Sequence, residues 1–386
     1  MQSPSKPFDL VVIGGGVIGL SIAWRAAQRG MQVVVIERGK SGGETSWVAA
    51  GMLAPISEAV LSERAMLVLG LASARHYPAF VEELESAAGR PCGYLRCGTL
   101  LGARDADEAD ALERELALRT KLGLAARRLR ASEARALEPA LAPTFRLALE
   151  IPDDHAIDPR SLTGALGRAV ENAGGELRER TSVTEVSISD GRVLGVIADG
   201  ELLPAEHVVI AAGCWSPALG GIPDHARVPI HPVKGQILEL RDPAGPGLLT
   251  RVLRMRGGYV VPRGDGRYVL GATMEERGFD TTVTAGACFE LLRDAIELLP
   301  GVGELVVAGL AAGLRPVTPD NLPAIGESSV SGLHWAAGHY RHGVLLAPIT
   351  AEIVLAGLSA EEPESIGAVD RAAFSPARFS TVAAGV

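Results

Sequence analysis

Ile13-Gly14-Gly15-Gly16-Val17-Ile18-Gly19 places glycines at 14, 16 and 19, and Glu37 follows Gly19 by 18 positions. Glycines at this spacing can cradle a pyrophosphate. Gly14 allows a tight turn, Gly16 lets a phosphate approach the backbone, and Gly19 lets a helix pack close to a strand. A carboxylate at the position of Glu37 can accept hydrogen bonds from an adenosine ribose. Arg315, between Gly313 and Pro316, carries a planar fork that can grip a carboxylate through two parallel hydrogen bonds. Tyr259 can add an O–H donor, and Arg341 lies in a glycine-bounded turn, Gly338-His-Tyr-Arg-His-Gly343. His339 and His342 have the H-x-x-H spacing of metal ligands, but no third ligand is evident, and no metal is expected. As alternative readings, Arg315 could simply sit beside a proline turn, Tyr259 could be a core aromatic, and Arg341 could cap a helix or hold a loop. Lys234 could be a cation near a redox centre, but a structural role is preferred.

The elements around these residues must position them. Phe8-Asp-Leu-Val-Val-Ile13 is almost wholly apolar, as a strand buried on both faces should be. A helix over 20–28 follows, ended by Arg29-Gly30, and a second apolar strand over 32–36 ends at Glu37. This is a βαβ unit opening on the glycine run, the context in which G-x-G-x-x-G signifies a dinucleotide site. Further helices are expected over 57–88, 103–122, from Pro159 to about Gly174, over 286–299 and over 343–356, with Gly357 as the last one's C-cap. The Asp190-Gly191 pair marks a hairpin. Residues 207–213 read as another central strand, ending at Gly213. Several short strands over 226–275 suit an antiparallel sheet.

The fold class that follows is α/β: a discontinuous Rossmann-like nucleotide-binding domain with an inserted antiparallel-sheet (α+β) substrate domain. The first is expected to comprise residues 7–88, 148–222 and 305–372, and the second 89–147 and 223–304.

Composition narrows the function. The 386 residues carry 37 Lys plus Arg against 46 Asp plus Glu, for a net charge of −9. No basic stripe marks a nucleic-acid binder. No apolar run reaches the ~18 residues that span a bilayer. Four scattered cysteines (Cys92, Cys97, Cys214 and Cys288) make no disulfide framework. A cytoplasmic protein without nucleic-acid or membrane partners is expected. Motifs spread over the whole chain favour FAD over NAD. Thr45-Ser-Trp-Val-Ala-Ala-Gly-Met-Leu-Ala-Pro55 is mostly small and can pack against a flat ring. A helix starting at Gly343 would bring positive potential to the anionic edge of a reduced flavin.

These residues carry a resemblance. Val12-Ile-Gly-Gly-Gly-Val-Ile-Gly19, Ser46-Trp-Val-Ala-Ala-Gly-Met-Leu53, Tyr259-Val-Val-Pro-Arg263, Val269-Leu-Gly-Ala-Thr-Met274, Gly313-Leu-Arg-Pro316 and Gly338-His-Tyr-Arg-His-Gly-Val-Leu-Leu-Ala-Pro348 occur in order along the chain. Together they resemble the D-amino-acid oxidase-like FAD-dependent oxidoreductases, and within them the glycine oxidases. The resemblance implies that Val17 and Ile18 lie along the pyrophosphate turn and that Glu37 and Arg38 meet the ribose. It places Thr45 and Ser46 on the phosphates, Ala50, Gly51 and Met52 along the flavin, and Val183 at the adenine. It wraps His339, Tyr340, Arg341, His342, Gly343, Val344 and Leu345 around the isoalloxazine, and assigns Tyr259, Arg315 and Arg341 to the substrate. Ala54 departs from a position that can be glycine. Met52, Leu53 and Ala54 are expected to line the pocket.

The implied reaction is hydride transfer to flavin N5 from glycine, sarcosine or small D-amino acids. It would yield a 2-oxo acid, ammonia or an amine, and hydrogen peroxide, with molecular oxygen as acceptor. A role in thiamine (thiazole) biosynthesis and homo-oligomerisation as a dimer or tetramer are also implied. No cysteine is placed to bond the flavin, so FAD is expected to be non-covalent. The competing readings are a dehydrogenase that passes electrons to a quinone or protein, and a non-catalytic or tRNA-modifying FAD protein.

Overall fold

The computed structural model describes residues 6–60, 62–359, 367 and 369–380; within the expected ranges 7–88 and 305–372, positions 61, 360–366 and 368 fall outside these. The strand Phe8–Ile13 is central to the first sheet. It pairs in parallel with Val33–Glu37 on one side (Leu10 opposite Val33, Ile13 opposite Ile36) and with Glu201–Ile210 on the other. Glu176–Glu179 extends the sheet beyond Val33–Glu37, and Leu333–Ala337 runs parallel beside Glu201–Ile210. The apolar runs predicted for this sheet are buried on both faces. One face holds Leu10, Val12, Val33 and Val35 against the helices Val17–Gln28, Arg64–Ala88, Pro159–Asn172 and Gly343–Ser359. The other holds Val11, Val34, Val208 and Trp335. The hairpin Val183–Ser189/Arg192–Ala198 turns at Asp190 and Gly191, whose φ of 50° and 74° are those of the tight hairpin turns that Asp-Gly favours.

The second sheet has eight strands. In order they are Val306–Val317, His231–Arg241, Arg267–Gly271, Gly258–Pro262, Val252–Met255, Thr99–Ala103, Leu147–Ile151 and Arg127–Arg130. It is antiparallel except where Val252–Met255 runs parallel to Thr99–Ala103. The helix Ala285–Leu298 packs Leu291, Ala295 and Leu298 against one face of it. A third, three-stranded sheet joins Met52–Leu53 and Tyr94–Leu95 to His155–Ile157.

Three features differ from the sequence expectations. Leu147–Ile151 and Val306–Val317 belong to the second sheet, although the latter and all but the first residue of the former fall in ranges expected for the nucleotide unit. The latter is rich in Gly and Ala, which hides a 12-residue strand from propensity. The helix expected from 57 starts at Arg64, because residues 56–58 are tied down by buried charges described below. The last helix runs through Gly357 to Ser359 instead of stopping there, and nothing lies within 4 Å of where a Gly357 Cβ would be.

Candidate active site

A cavity of about 1490 Å³ runs between the glycine turn and the second sheet. Most of the residues singled out in the sequence line it, from Gly14 and Gly16 through Val183 and Gly213 to Tyr259, Arg315 and Tyr340.

At one end the backbone dominates. Gly14 has φ +111°, and a Cβ on it would lie 2.5 Å from the carbonyl oxygen of Ala211. A Cβ on Gly19 would overlap the carbonyl oxygen of Gly14, so this glycine lets the helix seat against the turn. Gly16 precedes the helix, and a Cβ there would meet only Ser46 Oγ, at 3.3 Å. The side facing the cavity is therefore open. The first intrahelical bond runs from Leu20 N–H to Gly16 O, so the earlier amides are free of helical partners. Val17 N–H donates to Ser46 Oγ at 3.0 Å, which leaves the Ser46 O–H to donate elsewhere.

Glu37 is buried and accepts from Gly15 N–H and Gly39 N–H, both at 2.8 Å. It braces the turn and still offers lone pairs to the cavity. Arg38 stacks 3.9 Å over Trp215 and pairs with Glu44 at 3.0 Å. The Thr45 hydroxyl donates to Leu314 O at 2.7 Å. Its proton is thus committed to the second sheet, and its side chain has none left for a phosphate.

The middle of the cavity is held by the arginine that ends the Tyr259–Arg263 motif, for which the sequence indicated no role. Arg263 donates to Ala50 O at 2.8 Å and Ile157 O at 3.1 Å, fixing the segment that carries Ala50, Gly51 and Met52. Burial pushes Arg263 down to about 10. Gly51 has φ +76°, and a side chain there would overlap Ile157 O. Met52 lines the cavity, but Leu53 and Ala54 do not. Leu53 alternates to the other face of its strand and joins the helical core.

Across from this segment, Tyr340 adopts φ 49° and its N–H donates to Pro316 O at 2.8 Å. Gly343 and Val344, at the start of the last helix, line the cavity. His339 bonds Thr350 Oγ1 at 3.0 Å, and burial pushes its imidazole down to about 3, so it is neutral. His342 and Leu345 do not line the main cavity. His342 turns toward Glu58, at 3.6 Å, and Leu345 packs into the helical core.

At the far end charged side chains take over. Tyr259 is on a strand paired with Gly271, and a Cβ on Gly271 would lie 3.1 Å from the phenol oxygen. Burial raises the Tyr259 pKa while Arg315 opposes it, so the phenol keeps its proton. The Arg315 guanidinium lies over Gly235, where a Cβ would fall 2.5 Å from both terminal nitrogens. It donates to Thr273 O at 3.0 Å and Lys234 O at 3.4 Å. Arg341 pairs with Glu63 at 3.3 Å and Glu58 at 3.4 Å. Glu58 and Arg254, both lining the cavity, were not legible in the sequence. Burial raises the Glu58 pKa, but Arg254, His342, Arg341 and Arg315 together hold it below its ordinary value. Lys234, 1% exposed, points away from the cavity and pairs with Asp280 at 2.8 Å.

The helix-start amides without helical partners, the open side of Gly16 and the volume of the groove fit FAD. The parallel-stranded first sheet, the antiparallel second sheet and this groove define an α/β flavoprotein oxidoreductase. A family model described as "FAD dependent oxidoreductase" (DAO) matches residues 9–356, and the chain belongs to that family. It is 37% identical over 354 residues to the glycine oxidase of Geobacillus kaustophilus, covering 90% of this chain and 92% of that protein. It is 35% identical to the bifunctional protein ThiO/ThiG of Synechocystis, of which it covers 55%. A crystal structure of glycine oxidase from Geobacillus kaustophilus superposes with a TM-score of 0.89 at 34% identity, covering 96% of this chain and 98% of that one. Among the described residues no helix is long and apolar enough to cross a membrane.

Proposed function

We propose that the chain is an amine oxidase for glycine and other small amino acids such as sarcosine and small D-amino acids. Its products would be a 2-oxo acid, ammonia or an amine, and hydrogen peroxide. The observation that carries this reading is Arg315. Its fork sits in the cavity wall, bonded to the carbonyls of Lys234 and Thr273 and to the Tyr259 phenol, so a substrate carboxylate can dock on the remaining N–H groups. Tyr259 is buried and protonated, so its hydroxyl is a second donor to that carboxylate. Arg341 adds positive charge at the same end, shared with Glu58 and Glu63. Met52, Met274 and Tyr340 bound the space around the substrate, which favours small side chains.

When bound, FAD accepts the hydride from the carbon bearing the amine. The residues proposed to hold it are Gly14, Gly16, Val17, Ile18 and Ser46 at the pyrophosphate, with Glu37 and Arg38 at the ribose and Val183 at the adenine. Thr45 would contribute through its backbone. Ala50, Gly51, Met52, Gly213, His339, Tyr340, Gly343 and Val344 would surround the flavin, while Gly19, His342 and Leu345 act by packing. None of the four cysteines lines the cavity, in keeping with non-covalent FAD. We further propose that the first sheet with its helices is the FAD-binding domain and the second sheet the substrate domain. The match to ThiO/ThiG supports a role in thiamine (thiazole) biosynthesis.

The test is oxidation of glycine by purified holoenzyme, with oxygen uptake, peroxide and glyoxylate measured together. Equal yields of the two products support an oxidase. Glyoxylate formed only with an added quinone would replace oxygen as acceptor and keep the substrate assignment.

A further inference from the structure

The segment 56–58 is held by buried charge. Asp154, fully buried, accepts the N–H groups of Ile56 at 3.1 Å and Ser57 at 2.6 Å. Arg119, 2% exposed, donates to the carbonyls of the same two residues, at 3.2 and 2.8 Å. Arg254 makes a further bond to Ser57 O. Burying ions is costly unless they are fully paired, and here both donors and both acceptors of a dipeptide are matched by them. What this clamp fixes is the next residue, Glu58, whose carboxylate stands in the cavity wall.

Glu58 lies 3.4 Å from Arg341, 3.6 Å from His342 and 3.9 Å from Arg254. Burial keeps His342 below the usual imidazole range, although Glu58 pulls it the other way. Arg341 is also paired with Glu63. The two arginines expected to serve the substrate are therefore unequal: Arg341 is ion-paired with two carboxylates at 3.3 and 3.4 Å, whereas Arg315 bonds two carbonyls and the Tyr259 phenol and acts on Glu58 without forming an ion pair with it.

We propose that Glu58 is a specificity-determining residue that limits the substrate to one anionic group. It takes up the charge of Arg341, leaves Arg315 as the open carboxylate grip, and presents its own negative charge to any second anion entering that end of the cavity. Like charges brought face to face are strongly disfavoured. The inference rests on the amino-acid reading given above and adds to it a rule about substrate charge.

Sarcosine and iminodiacetate are both secondary amines, differing in that iminodiacetate carries a second carboxylate. In wild-type holoenzyme sarcosine should have the higher kcat/KM. Glu58→Gln should raise the iminodiacetate-to-sarcosine ratio of kcat/KM at least about tenfold, equal to 1.4 kcal/mol, while Glu58→Asp should keep the ratio low. An unchanged ratio in Glu58→Gln overturns the proposal. A second arm needs neither turnover nor a variant: glycolate and malonate are titrated calorimetrically into wild-type holoenzyme. Glycolate should bind at least about tenfold more tightly, and equal or tighter malonate binding overturns the proposal. If wild-type enzyme oxidises no amino acid, the substrate reading falls, and this titration still decides the charge rule.

Discussion

The two ends of the cavity are built on different principles. At the glycine turn, function resides in backbone: absent side chains, free amides and one braced carboxylate. At the end proposed for the substrate it resides in long charged side chains brought from distant segments. Glu58, Arg254, Arg315 and Arg341 come from four separate stretches of chain. A site made of backbone is sensitive to any added atom, because nothing can swing aside. A site made of side chains tolerates repacking and responds to changes of charge. The comparison yields substitutions of decreasing severity.

The largest effect is expected at Gly19. A methyl group there would overlap the Gly14 carbonyl, and neither helix nor turn can yield without unseating the first strand. Gly19→Ala should give little soluble, flavin-loaded protein, as judged by soluble yield and the ratio of flavin to protein absorbance. Gly16→Val is the sharper probe. Its side chain would meet little protein, so the chain should fold with near-normal circular dichroism yet lose FAD. A Gly16→Val protein as yellow as wild type would break the backbone account of this end.

At the substrate end, Arg315→Ala should lower kcat/KM for glycine by about tenfold to hundredfold, since a charge-assisted hydrogen bond contributes about 1.5–3 kcal/mol. Arg315→Lys should fall between, because it keeps the charge and loses the fork. Flavin absorbance should survive in both, and a carboxylate-free amine should lose far less. Equal losses for glycine and that amine would make Arg315 a structural residue.

The turn at His339 gives a smaller, pH-dependent effect. Burial pushes this histidine down to about 3 from an ordinary 6.5. Between those values the unfolded chain binds a proton that the folded chain does not. The histidine's contribution is therefore complete above pH 6.5 and is lost as pH falls, by about 1.4 kcal/mol per pH unit. Tm measured from pH 7 to 5 should fall less steeply in His339→Gln than in wild type. Parallel curves would show that this histidine does not set acid sensitivity. The mildest test is acid precipitation, which should leave a colourless pellet and a yellow supernatant, because no cysteine lines the cavity. A yellow pellet would show covalent flavin.

The same contrast explains what the sequence disclosed. Glycines at 14, 16 and 19 followed by Glu37 form one local unit, so spacing alone located the turn and its helix. Arg315 and Tyr259 stood out because their types suit a carboxylate and because glycine or proline flanks them. Glu58 gave no such signal: its meaning depends on Asp154, Arg119 and Arg254, and no local pattern links those positions. The role of Arg263 was hidden likewise, since its partners are the carbonyls of Ala50 and Ile157. Strand alternation sent Leu53 into the core beside a cavity-lining Met52, and Lys234 away from the cavity beside Gly235. The run around Met52 is uniformly apolar, so its pattern did not show which face each residue takes.

The central claim is that this cavity orients a small amino acid for oxidation by FAD. It is tested most directly by mixing wild-type holoenzyme with glycine or sarcosine in the absence of oxygen and following the visible flavin absorbance, a readout independent of the natural electron acceptor. The account predicts that both substrates bleach the oxidised flavin band, and that glycolate slows the bleaching by competing for Arg315. A flavin that stays oxidised with both amino acids, yet is reduced by carboxylate-free amines, would contradict it.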